Sequence, residues 1–119
     1  TPTSARAQRV PARYDMSLPV NQRKLEAADA LAQLADEAGM SLVHLALAFV
    51  IKHPAITSAI IGPRTMEQLE SQLAASDIEL DDALLDRIDA VVTPGANINP
   101  ADAGFENPAL AKWARRRTR

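Results

Sequence analysis

Residues 56–73, ITSAIIGPRTMEQLESQL, decide how the chain is read, because an apolar run turns there into a capped helix. Residues 57–61 are rich in β-branched and apolar residues with no charge among them, which predicts a short buried strand covered on both faces. Gly62 and Pro63 end it. Thr65 and Gln68 stand three apart, the spacing of a capping box in which the hydroxyl and the amide each satisfy a free backbone N–H, so a helix is expected from Met66. The positive pole and open amides of that helix would face the carboxyl end of the strand, where phosphates and carboxylates are favoured. Arg64 stands at the mouth, with a planar fork of donors and a permanent charge that suit a pair of phosphate oxygens. Spacing alone leaves two possibilities: an anion site, or a solvated Arg64 beside two residues that merely cap.

The wider sequence adds to this. HPAITSAIIGPRTMEQLESQLAA (residues 53–75), preceded by SLVHLALAFVIK (residues 41–52), resembles the C-terminal part of the aldo-keto reductases, a family of NADPH-dependent (β/α)8-barrel oxidoreductases. The resemblance covers about residues 24–92. In that family a Gly-x-Arg/Ser-x-x-x-Gln-Leu-x-x-Asn segment follows the last barrel strand and holds the adenosine 2′-phosphate end of the cofactor. The resemblance therefore implies that Gly62 lets the backbone approach the nucleotide, that Arg64 and Thr65 meet the 2′-phosphate, and that Gln68 lies along the adenosine. Ser71 stands where an acidic residue is common, and Gln72 replaces the usual Asn at the adenine contact. A phosphate site after the last strands, beside a helix N-terminus, also agrees with the general rule for such barrels.

The implied fold is α/β: a C-terminal portion of a TIM (β/α)8 barrel, mostly helical here with one or few strands. A length of 119 residues is too short for a closed barrel of roughly 250, so the expectation is a piece of one. Composition is that of a soluble globular chain, 47% hydrophobic and 24% charged with a formal net charge of −2. There is no cysteine, hence no disulfide framework and no thiolate zinc site. No apolar run approaches the roughly 18 residues of a membrane span, and residues 1–20 lack the apolar core of a signal peptide. A cytoplasmic protein with no membrane partner is expected.

Three segments follow from the pattern. Residues 1–20, with Pro2, Pro11 and Pro19 and no helical period, are expected to be an irregular loop. By the resemblance they correspond to the connection after the seventh strand, where Arg6 could approach the pyrophosphate or simply be a mobile basic residue. Residues 21–93 form the barrel segment, read as helix, helix, strand, helix, helix. The first helix, over 21–39, carries a stripe of Leu25, Ala28, Ala32, Ala35 and Ala38, flanked by Leu31 and Leu34, and stops at Gly39. Ser41 caps the second, over 42–52, whose apolar residues go nearly all the way round and predict burial on most sides. In the helix from Met66, the side chains of Met66, Leu69 and Leu73 are expected to face the core. A further helix from about Asp81 buries Leu84, Leu85, Ile88, Val91 and Val92. Residues 94–119 make a loop and a short final helix starting at Asn107-Pro108, with Phe105 and Trp113 pinning the tail and the basic RRRTR beyond.

No metal site and no catalytic residue is expected in this chain. His44 and His53 lack acidic partners at ligand spacing, and the Asp and Glu positions of residues 77–89 lack the spacing and central glycine of a calcium loop. Tyr14 is not the general acid, because the resemblance places the tyrosine, lysine, aspartate and histidine tetrad upstream. The outline of a helix-turn-helix in LADEAGMSLVHLALAF is set aside, since its second helix offers only His44 and Lys52 to nucleic acid. The expected function is NADPH-dependent reduction of a small aldehyde or ketone, with this chain supplying the adenosine and 2′-phosphate half-site. The alternative is a non-catalytic module that binds a nucleotide or a protein. By itself a barrel piece would bare apolar faces and could self-associate.

Overall fold

The computed structural model describes residues 4–111 and 116. Among them lie six α-helices: α1 (Ala5–Arg9), α2 (Pro19–Glu37), α3 (Leu42–Ile51), α4 (Met66–Leu73), α5 (Asp82–Val91) and α6 (Pro108–Ala111). Short 3₁₀ turns occupy Pro11–Arg13, Ala74–Asp77 and Pro100–Asp102.

Helix α2 begins at Pro19, whose fixed φ suits a first helical position, and ends at a Schellman turn. There Gly39 takes φ +76°, its N–H reaching Asp36 O at 3.0 Å while the Met40 N–H reaches Ala35 O at 3.0 Å. The chain then turns through 94° into α3, capped by the Ser41 hydroxyl accepting the His44 N–H at 3.1 Å. This corner brings α2 and α3 together on α5. Leu34 and Ala35 of α2, Leu45 and Ala48 of α3, Leu80, and Leu84, Leu85 and Ile88 of α5 form the core, with Leu31, Met40, Phe49, Ile78 and Val91 packed around it.

A polar set ties the segments around residues 12–15 and Asp102 to the start of α2. The Asp102 carboxylate pairs with Lys24 Nζ at 2.8 Å and Arg13 Nε at 3.4 Å. Asn21, wholly buried, donates from Nδ2 to Ala12 O at 2.7 Å and Asp15 O at 2.8 Å. Arg87 pairs with Glu37 across α5 and α2.

Several expectations need correction. Residues 57–61 form no strand, and no strand exists among the described residues. A strand needs a neighbour for its N–H and C=O groups, and here none is offered: the segment makes no ladder, and Ile60 is 100% exposed. Residues 1–20 are not wholly irregular, because Ser4 Oγ accepts the Ala7 N–H at 3.2 Å and starts α1. Helix α3 is not covered on most sides: Leu42, Val43, Val50 and Ile51 are exposed, since the chain provides packing partners only for the Leu45 and Ala48 face. Met66 and Leu73 do not face the core, being 67% and 58% exposed, and α4 buries none of its residues. Leu25 is exposed too. The stripe of α5 is as expected at Leu84, Leu85 and Ile88, and α6 starts at Pro108 with the Ala109 N–H on Asn107 Oδ1. Trp113 and the basic tail other than Arg116 lie outside the described residues.

Leu85→Ala in this 119-residue chain is expected to lower unfolding free energy by about 2–5 kcal/mol. Leu73→Ala is expected to change it by under about 0.5 kcal/mol. Urea denaturation of both variants checks the assignment of core and surface; equal losses would contradict it.

Candidate functional site

The segment from Gly62 to Gln72 is organised by hydrogen bonds rather than by burial. Thr65 adopts an extended conformation (φ −131°, ψ 157°), and its Oγ1 accepts the Gln68 N–H at 3.2 Å. Gln68 returns the contact from its own side chain: Oε1 accepts the Arg64 N–H at 2.8 Å. The box therefore closes on the residue before the cap rather than on the cap itself. The helix starts at Met66, as the Thr65–Gln68 spacing predicts. The amides of Met66 and Glu67 are taken by no described group. Gly62, Arg64, Thr65 and Gln68 are all exposed, and no described carboxylate pairs with Arg64. Glu67 sits in the first turn, where its charge suits the helix pole but competes with any external anion.

The remaining candidates differ. A Cβ placed on Gly62 would meet nothing within 4 Å and its φ is not positive, so neither space nor backbone demands glycine there. Ser71 is exposed at the far end of α4, and its carbonyl oxygen lies 2.7 Å from His44 Nε2. Gln72 is half-buried, with an Oε1 shielded from solvent and without a partner among the described residues. Arg6 is exposed on α1.

Two histidines do more than the sequence suggested. His44 bridges α3 to α4 through the Ser71 carbonyl. His53, 1% exposed, is a buried connector. Its Nδ1 accepts the Ala55 N–H at 3.1 Å, which leaves the proton on Nε2 to donate to Leu110 O at 3.1 Å. The signal available in the sequence was slight: two histidines, each placed where an apolar helix begins or ends.

A separate apolar cleft of about 500 Å³ lies between α2, α3 and α5, walled by Leu31, Leu45, Phe49, Ile88 and Val92. The Arg116 guanidinium covers it, 3.9 Å from the centroid of the Phe49 ring. Burial lowers the pKa of Arg116 while the neighbouring Asp89 opposes that shift. None of residues 62–72 lines this cleft. Among the described residues no group of three or more His, Asp or Glu is placed to hold a metal ion.

The model of the aldo/keto reductase family matches residues 2–93. The chain belongs to that family. Among curated proteins it is similar to the uncharacterized oxidoreductase YrpG of Bacillus subtilis, 36% identical over 80 residues, which is 67% of this chain and 22% of that protein. It is also similar to norsolorinic acid reductase B of Dothistroma septosporum, 29% identical over 87 residues, or 73% of this chain and 20% of that protein. Protein tas of Escherichia coli is 33% identical over 66 residues, 56% of this chain and 19% of its own length. The chain thus spans about a fifth of the length of these relatives. No solved structure matches it. The aldo/keto reductase fold is a TIM barrel, and the helices seen here are compatible with a portion of one.

Thr65→Ala is expected to speed hydrogen exchange of the Gln68 amide roughly fivefold, the equivalent of about 1 kcal/mol of lost capping. Exchange at the Leu85 amide, in the core, should be unaffected. A Gln68 amide that already exchanges freely with Thr65 in place would show that the cap is not formed.

Proposed function

We propose that this chain carries the adenosine 2′-phosphate site of an NADPH-dependent carbonyl reductase and forms a C-terminal portion of its barrel. The observation that supports this is which atoms the capping box uses up. Thr65 Oγ1 and Gln68 Oε1 are both engaged as acceptors. What remains to face outward is a set of donors: the Thr65 hydroxyl hydrogen, the Gln68 amide NH₂, the Arg64 guanidinium and the Met66 and Glu67 N–H groups. Such a set complements a phosphate, with the Glu67 carboxylate in the first turn the one nearby charge that opposes it. Family membership supports a nicotinamide nucleotide as the ligand, and the resemblance of Gly62, Arg64 and Gln68 to the family's segment supports the register.

The roles follow from the chemistry of each group. Arg64 pairs with the dianionic phosphate, since a guanidinium fork binds two oxygens at once. Thr65 donates one further hydrogen bond, the open amides of α4 add partial positive charge, and Gln68 lies along the adenosine. Gly62 allows the nucleotide close to the backbone, in keeping with the open space beside it. Ser71 and Gln72 border the adenine; Gln72 has to turn its shielded carbonyl outward to reach it. NADPH, when bound, supplies the hydride for an aldehyde or ketone carbon. No residue of this chain is assigned to the proton transfer, which falls to groups outside it.

The bare apolar surfaces support the barrel portion. Leu42, Val43, Val50 and Ile51 of α3, the wholly exposed Ile60, and Met66 and Leu73 of α4 are faces that the remainder of a (β/α)8 barrel would cover. The same surface makes the chain by itself prone to self-association. Two named relatives are an oxidoreductase and a reductase, which agrees with the reaction class.

In the complete protein that carries this segment, Arg64→Ala is expected to raise KM for NADPH by roughly 10- to 100-fold, the scale of a lost charged hydrogen bond. KM for NADH, which lacks the 2′-phosphate, should change by less than about threefold. Steady-state kinetics with both cofactors decides it, and equal losses would remove the assignment.

A further inference from the structure

Helix α4 poses a mechanical problem. It carries the capping box and the proposed phosphate donors, yet none of its residues is buried. Its orientation must therefore be fixed from outside. One support is Ala75, 2% exposed in the turn Ala74–Asp77, which packs against α3. The other is polar. His44 Nε2 lies 2.7 Å from the Ser71 carbonyl oxygen, which can only accept, so Nε2 carries a proton and donates it.

The geometry suits that role. Ser71 belongs to the last turn of α4, where carbonyls have no partner within the helix and where a donor also meets the negative pole. His44 is itself held firmly, because its N–H is bound to Ser41 Oγ at 3.1 Å and its neighbour Leu45 is 2% exposed in the core. A continuous path runs from the core through Leu45 and His44 to Ser71, and along α4 to Thr65 and Arg64. At a rise of 1.5 Å per residue, Thr65 stands about 9 Å from Ser71 along the helix. A tilt of only about 6° then displaces the phosphate donors by about 1 Å, enough to weaken an oriented contact.

We infer that His44 is a positioning residue for the cofactor end of α4, acting through the Ser71 carbonyl and touching no ligand itself. This rests on the 2′-phosphate assignment above. The test uses the complete protein that carries this segment, with kcat and KM for NADPH and NADH measured in the unaltered protein and in His44→Leu, His44→Gln and Arg64→Ala. His44→Leu is expected to raise KM for NADPH roughly three- to tenfold, leaving kcat and the KM for NADH within about twofold. His44→Gln, whose side-chain amide can donate to the same carbonyl, should restore the NADPH value.

If Arg64→Ala raises the NADPH KM and His44→Leu does not, the positioning role is wrong and the phosphate site stands. A His44→Gln variant as impaired as His44→Leu overturns the hydrogen-bond mechanism. Loss of effect in Arg64→Ala as well removes both assignments. Should His44→Leu fail to fold, nitrogen-15 spectra of the unaltered imidazole still decide: a protonated Nε2 is expected, and a bare Nε2 overturns the proposal.

Discussion

The close approach of α2, α3 and α5 is the constraint on which everything else depends. Ala35 and Ala48 are small enough to let the first two helices meet near their 94° corner, and Leu85 fills the space between them with no surface left exposed. The corner needs Gly39, because φ +76° costs an L side chain strain that glycine avoids. A bulkier side chain at Ala35 or Ala48 would force the packed helices apart. Since α4 is held by α3 and not by a core of its own, the error would pass directly to the donors around Thr65.

The second constraint is the backbone's demand for partners. Helices satisfy it internally, and α1, α3, α4 and α5 stand on local caps: Ser4, Ser41, Thr65 and Asp81 each accept an N–H from the first turn. A strand cannot do so. Residues 57–61 have the composition of a buried strand and none of the pairing, so they lie open with Ile60 bare. Loop segments are secured by side-chain ion pairs and hydrogen bonds instead. Asp102 gathers Lys24 and Arg13, and Asn21 holds the carbonyls of Ala12 and Asp15, so the early and late loops are both moored to the start of α2.

This division explains what could be read from the sequence. Capping and turn signals are local chemistry, and they located the starts of α3, α4 and α5 to within about a residue, a precision such signals rarely exceed. Apolar patterning names which side chains want burial but not what will bury them. It was therefore right for Leu84, Leu85 and Ile88, which find partners within the chain, and wrong for Met66, Leu73 and the outer side of α3, which do not. In the candidate site, the pairing of Thr65 with Gln68 was legible because it spans three residues. The contact of His44 with Ser71 spans 27 and leaves no trace in spacing. Asn21 and His53 were missed for a related reason: each is a buried polar residue whose partners are backbone groups, and every residue has those.

The cap and the proposed anion site are built from the same atoms, which is why neither could be separated from the other on sequence alone. A hydroxyl can accept and donate together, so Thr65 loses nothing as a phosphate ligand by capping α4. Gln68 likewise gives its oxygen to the Arg64 N–H and keeps its two hydrogens. Capping thus sorts the local polar atoms, turning acceptors inward and donors outward, and an otherwise ordinary helix start becomes electrostatically one-sided. Glu67 opposes this with one negative charge in the first turn. On an exposed helix of eight residues the pole alone is too weak to overcome that charge. Arg64 has to carry the balance, and discrimination between nucleotides with and without a 2′-phosphate would then rest on one guanidinium and on how accurately α4 presents the rest.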